Sequence, residues 1–201
     1  AQPGSLLLLG GTALTAENLE VAGKIAAHTG CDLLSEWSNA RLERGTGRVF
    51  VGKVPYPIDQ ALEKLAPYGR IVLVGARPPI GFFAYPGKPA ALSRDGAEII
   101  GLAPAGSDIG GALSALCAAL RATQAQPALQ SPAKPAAIPA GPPTPEGIAA
   151  VLGQTIPENA IVVDESVTTG RNFFPATAGA PPHTWLNNCG GSIGYGMPVA
   201  I

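Results

Sequence analysis

Two stretches in the C-terminal third of this sequence carry residue types that could hold a polar ligand. The first is Gly190-Gly191-Ser192-Ile193-Gly194-Tyr195-Gly196, a glycine-dense turn that runs into the apolar stretch Met197-Pro198-Val199-Ala200-Ile201. Glycines without a Cβ let the backbone approach a ligand closely. The apolar stretch reads as the start of a helix, and a helix N-terminus attracts anions. No basic residue, glycine cap or proline follows Ile201 to end that helix, so the chain is expected to be a piece of a larger protein, cut as a binding site is being assembled. The second stretch is Glu165-Ser166-Val167-Thr168-Thr169, directly after the apolar run Ile161-Val162-Val163. A hydroxyl-rich loop behind a strand of a parallel sheet sits where such sheets bind ligands. Helix capping by the same hydroxyls is the plainer alternative, and both roles can hold at once.

Other candidates read as structural. Gly10-Gly11 after Leu9 imitates a dinucleotide-binding turn, but the third glycine is missing from the required spacing and no acidic residue is convincing at the end of the second strand. Arg77, after Val74-Gly75-Ala76, is the best remaining anion ligand there, with a surface arginine the commoner role. His28 lies near a helix C-terminus, where a cation complements the dipole. His183 is expected on a surface loop. Phe82, Phe83 and Tyr85 form an aromatic patch that suits a core or an interdomain contact. Trp37 and Arg41 are given no role.

The elements that must position these residues follow from periodicity. Leu6 to Leu9 is a short apolar run ending in glycines, the pattern of a buried parallel strand. Thr15 is placed to cap a helix whose buried stripe is Leu19, Ala22, Ile25 and Ala26, and Gly30 ends it. Residues 32–35 read as a second strand and Val49-Phe50-Val51 as a third. Ile58, Ala61, Leu62 and Leu65 mark a helix stopped near Pro67. Residues 70–75 form the clearest strand and residues 98–102 another. Ile109, Leu113, Leu116 and Leu120 make a helical stripe. Strands alternating with helices predict an α/β fold, an open parallel sheet with helices on both faces, of Rossmann-like type. Composition then shifts to Ala, Gln and Pro, with prolines at 127, 132, 135, 139, 142, 143 and 145, a semi-rigid extended linker. Thr144-Pro145-Glu146 opens a helix reaching Leu152, and a strand follows at 160–163. The expected organisation is a central α/β domain over residues 1–121, a linker over 122–143, and the truncated start of a second α/β domain over 144–201.

Composition narrows the function. Charged residues are 13% and hydrophobic residues 46% of 201 positions, so the chain buries much surface, internally or against partners. A net charge of -1 with no basic block argues against nucleic acid and anionic membrane surfaces as partners. Cys31, Cys117 and Cys189 are far apart and odd in number, which indicates neither a disulfide framework nor a zinc site and fits a reducing cytoplasm. Leu6 to Leu9 is too short, and lacks the basic flank, for a signal peptide. No apolar run approaches membrane-spanning length.

Taken together, these stretches resemble the thiamine diphosphate (ThDP) enzymes of the acetolactate synthase, benzoylformate decarboxylase and pyruvate decarboxylase superfamily. Gly191-Ser192-Ile193-Gly194-Tyr195 fits the Gly-x-apolar-Gly-aromatic signature of that family's third domain. Residues 161–170 look like the first strand and loop of the same domain, and residues 4–120 like the central domain. The resemblance implies that the backbone of Gly191, Ser192 and Ile193 binds the aminopyrimidine ring, with the Gly191 carbonyl accepting from its amino group. It implies that Ile193 wedges under the cofactor and holds it bent, a task suited to a side chain stiff at χ1. It also implies that Ser166, Thr168 and Thr169 donate to the diphosphate, and that the stretch around His183 lines the approach to the active site. The family's Gly-Asp-Gly metal motif and its activating N-terminal glutamate are absent. Glu165 is not a substitute for that glutamate, and no catalytic residue or metal ligand is assigned. The resemblance therefore implies a ThDP- and Mg²⁺-dependent lyase or carboligase, homo-oligomeric as a dimer or tetramer, acting on 2-oxo acids or related small carbonyl substrates. The present chain would be an inactive part of it, and FAD is not expected. Two other readings are a non-catalytic nucleotide- or flavin-binding α/β module centred on Gly10-Gly11, and a domain that only braces an oligomer.

Overall fold

Ser5–Leu9 (β1) is buried at every position, as expected for a strand flanked by neighbours on both edges and covered on both faces. In the computed structural model, which describes residues 4–134, 137, 138 and 140–201, the chain continues through Ala16–Thr29 (α1), Asp32–Ser35 (β2), Leu42–Arg44 (β3), Gly52–Lys53 (β4), Ile58–Leu65 (α2), Arg70–Val74 (β5), Glu98–Ala103 (β6) and Ile109–Ala119 (α3). It then forms Pro145–Thr155 (α4), Ile161–Asp164 (β7), Phe173–Ala176 (α5), His183–Asn187 (β8) and Gly196–Ala200 (α6). Pro135 and Pro139 of the expected linker lie outside the described residues. The chain divides into two units, residues 1–37 with 51–127, and residues 38–50 with 128–201.

The first unit is a five-stranded sheet in the order β4-β2-β1-β5-β6, and every pairing in it is parallel. Leu8 lies opposite Leu34 on one side and Leu73 on the other. Leu6 and Leu8 pack with Ile58, Ala61 and Leu65 of α2, while Leu7 and Leu9 point to the opposite face, where α1 and α3 pack on each other. Full burial of each leucine is worth roughly 1.5–3 kcal/mol, so β1 is the anchor of this unit. The α/β reading of the sequence is correct here, and so are the ends of several elements. Gly30 takes a left-handed φ of 73° and its N–H closes α1 on the Ala26 carbonyl, the conformation glycine supplies without strain. Asp108 caps α3 by accepting from the Gly111 N–H at 2.8 Å.

Two expectations are corrected. The Thr15 hydroxyl donates back to the Thr12 carbonyl and does not cap α1. Val49-Phe50-Val51 is not a strand: Val49 makes a single bridge to Leu129, and the regular pairing falls on Gly52 and Lys53.

The second unit contains a mixed sheet in the order β3-β8-β7, with β3 antiparallel and β7 parallel to β8. Trp185, Ile156 and Ala180 form its core, with Leu152, Val162, Phe173 and Phe174 packed around them. Thr144 caps α4 by accepting from the Gly147 N–H at 3.1 Å, with Pro145 in the first turn where its missing N–H costs nothing. The residues before that cap are tied down in part. Gln130 bonds Gly47 and Arg48, and the Ala133 N–H reaches the Gly179 carbonyl.

Candidate functional site

Parallel pairing decides where the candidate residues meet. β7 and β8 run side by side in one direction, with Asp164 opposite Asn187. The chain therefore leaves both strands at the same end of the sheet. The loop 165–169 follows β7, the glycine turn 188–195 follows β8, and the two face each other. The Asn188 N–H bonds the Asp164 carbonyl at 3.1 Å, extending the ladder by one step beyond the strands.

Glu165 closes the arrangement. Its carboxylate accepts from the backbone N–H of Gly194 and, at 2.7 Å, from that of Gly196. These backbone donors hold the carboxyl below the ordinary glutamate range, because they favour the charged form. The anion expected at the entry to α6 is thus supplied by the chain itself. Gly196 is buried and a Cβ there would stand 2.7 Å from Glu165 Oε2, which explains the glycine.

The hydroxyls of the loop are in different states. Ser166 Oγ donates to Asp164 Oδ1 at 2.5 Å, and its N–H bonds the same oxygen at 3.0 Å. This is a turn held by an aspartate. Thr168 and Thr169 are exposed. Between them and Ser166, Val167 holds a φ of +38°, a conformation that is strained for a β-branched residue and is found where surrounding structure imposes it.

In the turn, Gly190, Gly191 and Gly194 have φ of 68°, 71° and 91°, and Cβ atoms built on them would meet nothing within 4 Å. Their left-handed conformation, not crowding, selects glycine. Ser192 and Ile193 are exposed, Ile193 at 90%. Ile193 is therefore not a core residue. Two buried polar atoms of the same segment, Asn188 Oδ1 and Tyr195 Oη, have no hydrogen-bond partner. An open, glycine-lined backbone beside buried polar atoms that still need partners fits a polar ring ligand.

His183 is not on a surface loop. It lies in β8, 1% exposed, with Nδ1 2.7 Å from the Pro181 carbonyl and Nε2 without a partner. Burial, helped by Arg44 and Arg48, pushes its pKa down. Arg44, to which the sequence had drawn no attention, is buried beside it. Its guanidinium sits 3.8 Å from the Phe174 ring centre, donates to Thr177 Oγ1 at 3.1 Å and to the Phe174 carbonyl at 2.5 Å. Burial lowers its pKa to about 9, which leaves it a cation at neutral pH. The two residues are paired across β3 and β8 and both are buried. Among the described residues no three His, Cys, Asp or Glu side chains gather as a metal-ligand set, and no helix is long and apolar enough to cross a membrane.

In the first unit, Gly10 is explained by crowding. A Cβ there would stand 2.6 Å from Glu36 Oε2 and 2.7 Å from the Gly75 carbonyl oxygen. Glu36, the acidic residue after β2 that sequence reasoning passed over, accepts from the Arg77 N–H at 3.0 Å. Burial raises its pKa. It binds the end of β2 to the loop after β5, and the arginine singled out as an anion ligand contributes both its backbone N–H and its charge to this contact. Trp37, Tyr56, Phe82, Phe83 and Tyr85 form a chain of tilted and edge-on rings, with centroid separations of 4.6–6.3 Å, and Phe82, Phe83 and Tyr85 stay exposed rather than forming core.

Comparison with known proteins finds relatives in fold and in sequence. In fold the chain is similar to a thiamine diphosphate-dependent 4-hydroxybenzoylformate decarboxylase of Rhodococcus jostii RHA1, with a TM-score of 0.69 and 21% identity over 98% of this chain and 40% of that one. It is also similar to the structure titled as a putative thiamin diphosphate-dependent enzyme of Mycobacterium smegmatis, with a TM-score of 0.62 and 21% identity over 96% of this chain and 40% of that one. No protein-family model matches the chain. In sequence it is 41% identical over 200 residues, 98% of its length, to the "Putative acetolactate synthase large subunit IlvX" of Mycobacterium tuberculosis (strain ATCC 25618 / H37Rv), of which it covers 38%. The chain is thus similar in sequence to an acetolactate synthase large-subunit-type protein and in fold to two thiamine diphosphate-dependent enzymes, and it spans about two fifths of the length of these relatives.

Proposed function

We propose that this chain is the part of a ThDP- and Mg²⁺-dependent carboligase or decarboxylase that supplies one wall of the cofactor site. The whole enzyme acts on 2-oxo acids or related carbonyl compounds and is a cytoplasmic homo-oligomer. The observation that carries this reading is the parallel pair β7 and β8, which delivers the hydroxyl loop and the glycine turn to the same sheet end. The related acetolactate synthase-type sequence supports the carboligase side, and the fold of the 4-hydroxybenzoylformate decarboxylase the decarboxylase side.

In this reading the Gly191 carbonyl accepts from the amino group of the aminopyrimidine ring. Ser192 presents its backbone, and Ile193 sits under the ring system. Its exposure leaves it free to meet a ligand. Thr168 and Thr169 are exposed, and in this reading their hydroxyls donate to a diphosphate. Ser166 reaches it only if its hydroxyl leaves Asp164, and otherwise it holds the loop. The cofactor, once bound, supplies a carbanion and an electron sink next to the substrate carbonyl. No residue of this chain is assigned to the metal or to proton transfer.

The test is a titration of the chain with excess ThDP and Mg²⁺, followed by backbone NMR. Signals of Gly191 to Gly194 and of Thr168 and Thr169 should move. Binding should be weak, because the charged diphosphate meets mainly neutral donors in this segment. Movement confined to Gly10, Gly11 and Glu36 would replace this reading with that of a nucleotide- or flavin-binding module.

A further inference from the structure

We propose that Glu165 is the positioning residue of this site, a carboxylate clasp that fixes the glycine turn against the loop after β7. The cofactor role of the turn rests on the reading above, whereas the clasp itself rests on geometry. Three observations carry it. First, the carboxylate bonds two backbone N–H groups two residues apart, those of Gly194 and Gly196. Together they span the change from left-handed turn, with Gly194 at φ 91°, to helix. Second, the rest of the turn lacks packing. Gly190, Gly191 and Gly194 have nothing within 4 Å of where a Cβ would be, and residues 190–194 are exposed. Glycine-rich backbone of this kind has many conformations to lose on ordering, so a tether at its far end has a large effect on its shape. Third, the tether starts from rigid ground. Glu165 directly follows β7, and the next residue, Ser166, is pinned to Asp164 through both its N–H and its hydroxyl. The strained backbone at Val167 follows at once.

The consequence is mechanical. Displacing Glu165 loosens the turn and the loop together, so the two halves of the ligand site are set by one side chain. A carboxylate is needed because both oxygens accept. Glutamine offers one acceptor and one N–H₂, and the latter would face a backbone donor. Aspartate keeps both acceptors but is one methylene shorter. Glu165 touches backbone only, and no part in catalysis is claimed for it.

The chain itself, labelled with ¹⁵N, tests this. In the wild type, the Gly194 and Gly196 amide signals should titrate together at one acidic midpoint, below the ordinary glutamate value of about 4.3. In Glu165→Gln that titration should vanish, both signals should move toward random-coil positions, and proteolytic cleavage within 190–196 should speed up at least tenfold. The melting of the second unit's Trp185 core should stay within a degree or two of wild type. Glu165→Asp should restore part of the amide titration, an outcome that general destabilisation does not give. Amide signals unchanged in Glu165→Gln, or lacking any common titration in the wild type, overturn the clasp. Adding excess ThDP and Mg²⁺ separates the two ideas. If wild type does not respond to ThDP while the amide titration and its loss are seen, the cofactor reading fails and the clasp stands. If wild type responds, Glu165→Gln should weaken that response at least tenfold, and an equal response in both overturns the positioning role.

Discussion

Arg44 on β3 stands directly opposite His183 on β8, so the second unit pairs a buried cation with a buried imidazole across an antiparallel ladder. The arginine is satisfied from above and below. The Phe174 ring covers its guanidinium, and Thr177 Oγ1 and the Phe174 carbonyl take its N–H groups. The imidazole is satisfied on one side only. This asymmetry has consequences for stability that can be measured.

Arg44→Ala should destabilise the second unit by about 2–4 kcal/mol, from two hydrogen bonds made by a charged donor and one ring contact. Arg44→Lys should recover little of this. An ammonium cannot reproduce the planar fork that reaches Thr177 and Phe174 while lying flat on the ring. Urea melts followed by Trp185 fluorescence measure both. A lysine variant as stable as wild type would show that charge alone matters at this position.

Acid should weaken the same unit through His183. Its folded pKa is depressed, first by burial and then by Arg44 and Arg48. The unfolded chain therefore binds the proton more readily than the folded one, and stability must fall as pH drops. The loss should begin near the unfolded value of about 6.5 and continue down to the depressed folded value. Protonation would also put an N–H at Nε2, where no acceptor waits. His183→Phe should flatten the slope of stability against pH between about 7 and 5, whatever it does to stability itself. An unchanged slope would assign the acid sensitivity to other groups.

The parts of this structure legible in the sequence are those in which burial and periodicity agree. β1 and β5 are buried apolar runs, α1 ends on a glycine, and α2 carries its apolar residues at helical spacing, while β6 was read from its apolar residues although most of it is exposed. β3 and β8 were missed because their buried positions carry polar residues. Leu42-Glu43-Arg44 hides an arginine, and His183-Thr184-Trp185 hides a histidine. Hydropathy places both side chains outside, and only the partner elements, Phe174 and Thr177 above all, make burial tolerable. The signal that was available is the β-favouring pair Thr184-Trp185, a β-branched residue followed by an aromatic one. For the candidate site, both stretches proposed to hold the ligand could be picked out from composition. The clasp between them could not, because Glu165 and Gly196 are far apart in sequence and no periodicity links them. Ser166 illustrates the same limit: a hydroxyl can be counted in a sequence, but that it is already engaged by Asp164 appears only in three dimensions.

Limited proteolysis should cut first between about residues 134 and 143, in the proline-rich segment. Residues before it are held, since Gln130 bonds Gly47 and Arg48 and Ala133 bonds Gly179. The two fragments should stay together after cleavage. β3 is on the N-terminal fragment and β8 on the C-terminal one, and they pair through Leu42, Glu43 and Arg44. Size-exclusion chromatography of the nicked chain should give one peak, which splits only in denaturant. First cuts within residues 5–120, or fragments that separate freely, would contradict this arrangement.

Ile193 gives the sharpest test of the cofactor reading. At 90% exposed it makes no packing that folding needs. Ile193→Ala should therefore change stability by no more than about 0.5 kcal/mol, where a fully buried isoleucine would cost about 2–5 kcal/mol. A large exposed isoleucine in a glycine turn has no reason of its own to be apolar, and a ligand lying on it would supply one. In the full-length protein, Ile193→Ala should lower kcat without a matching rise in KM, because substrate binding is untouched while the geometry of the bound cofactor is lost. Ile193→Leu or Ile193→Met should keep much of the activity by filling similar volume. The decisive comparison is melting temperature against kcat in the same variant. An alanine variant with both unchanged removes Ile193 from the site. One with both lowered together makes it a structural residue of the full-length protein. Only a fall in kcat at constant melting temperature fits a side chain that waits, exposed, for the ring it supports.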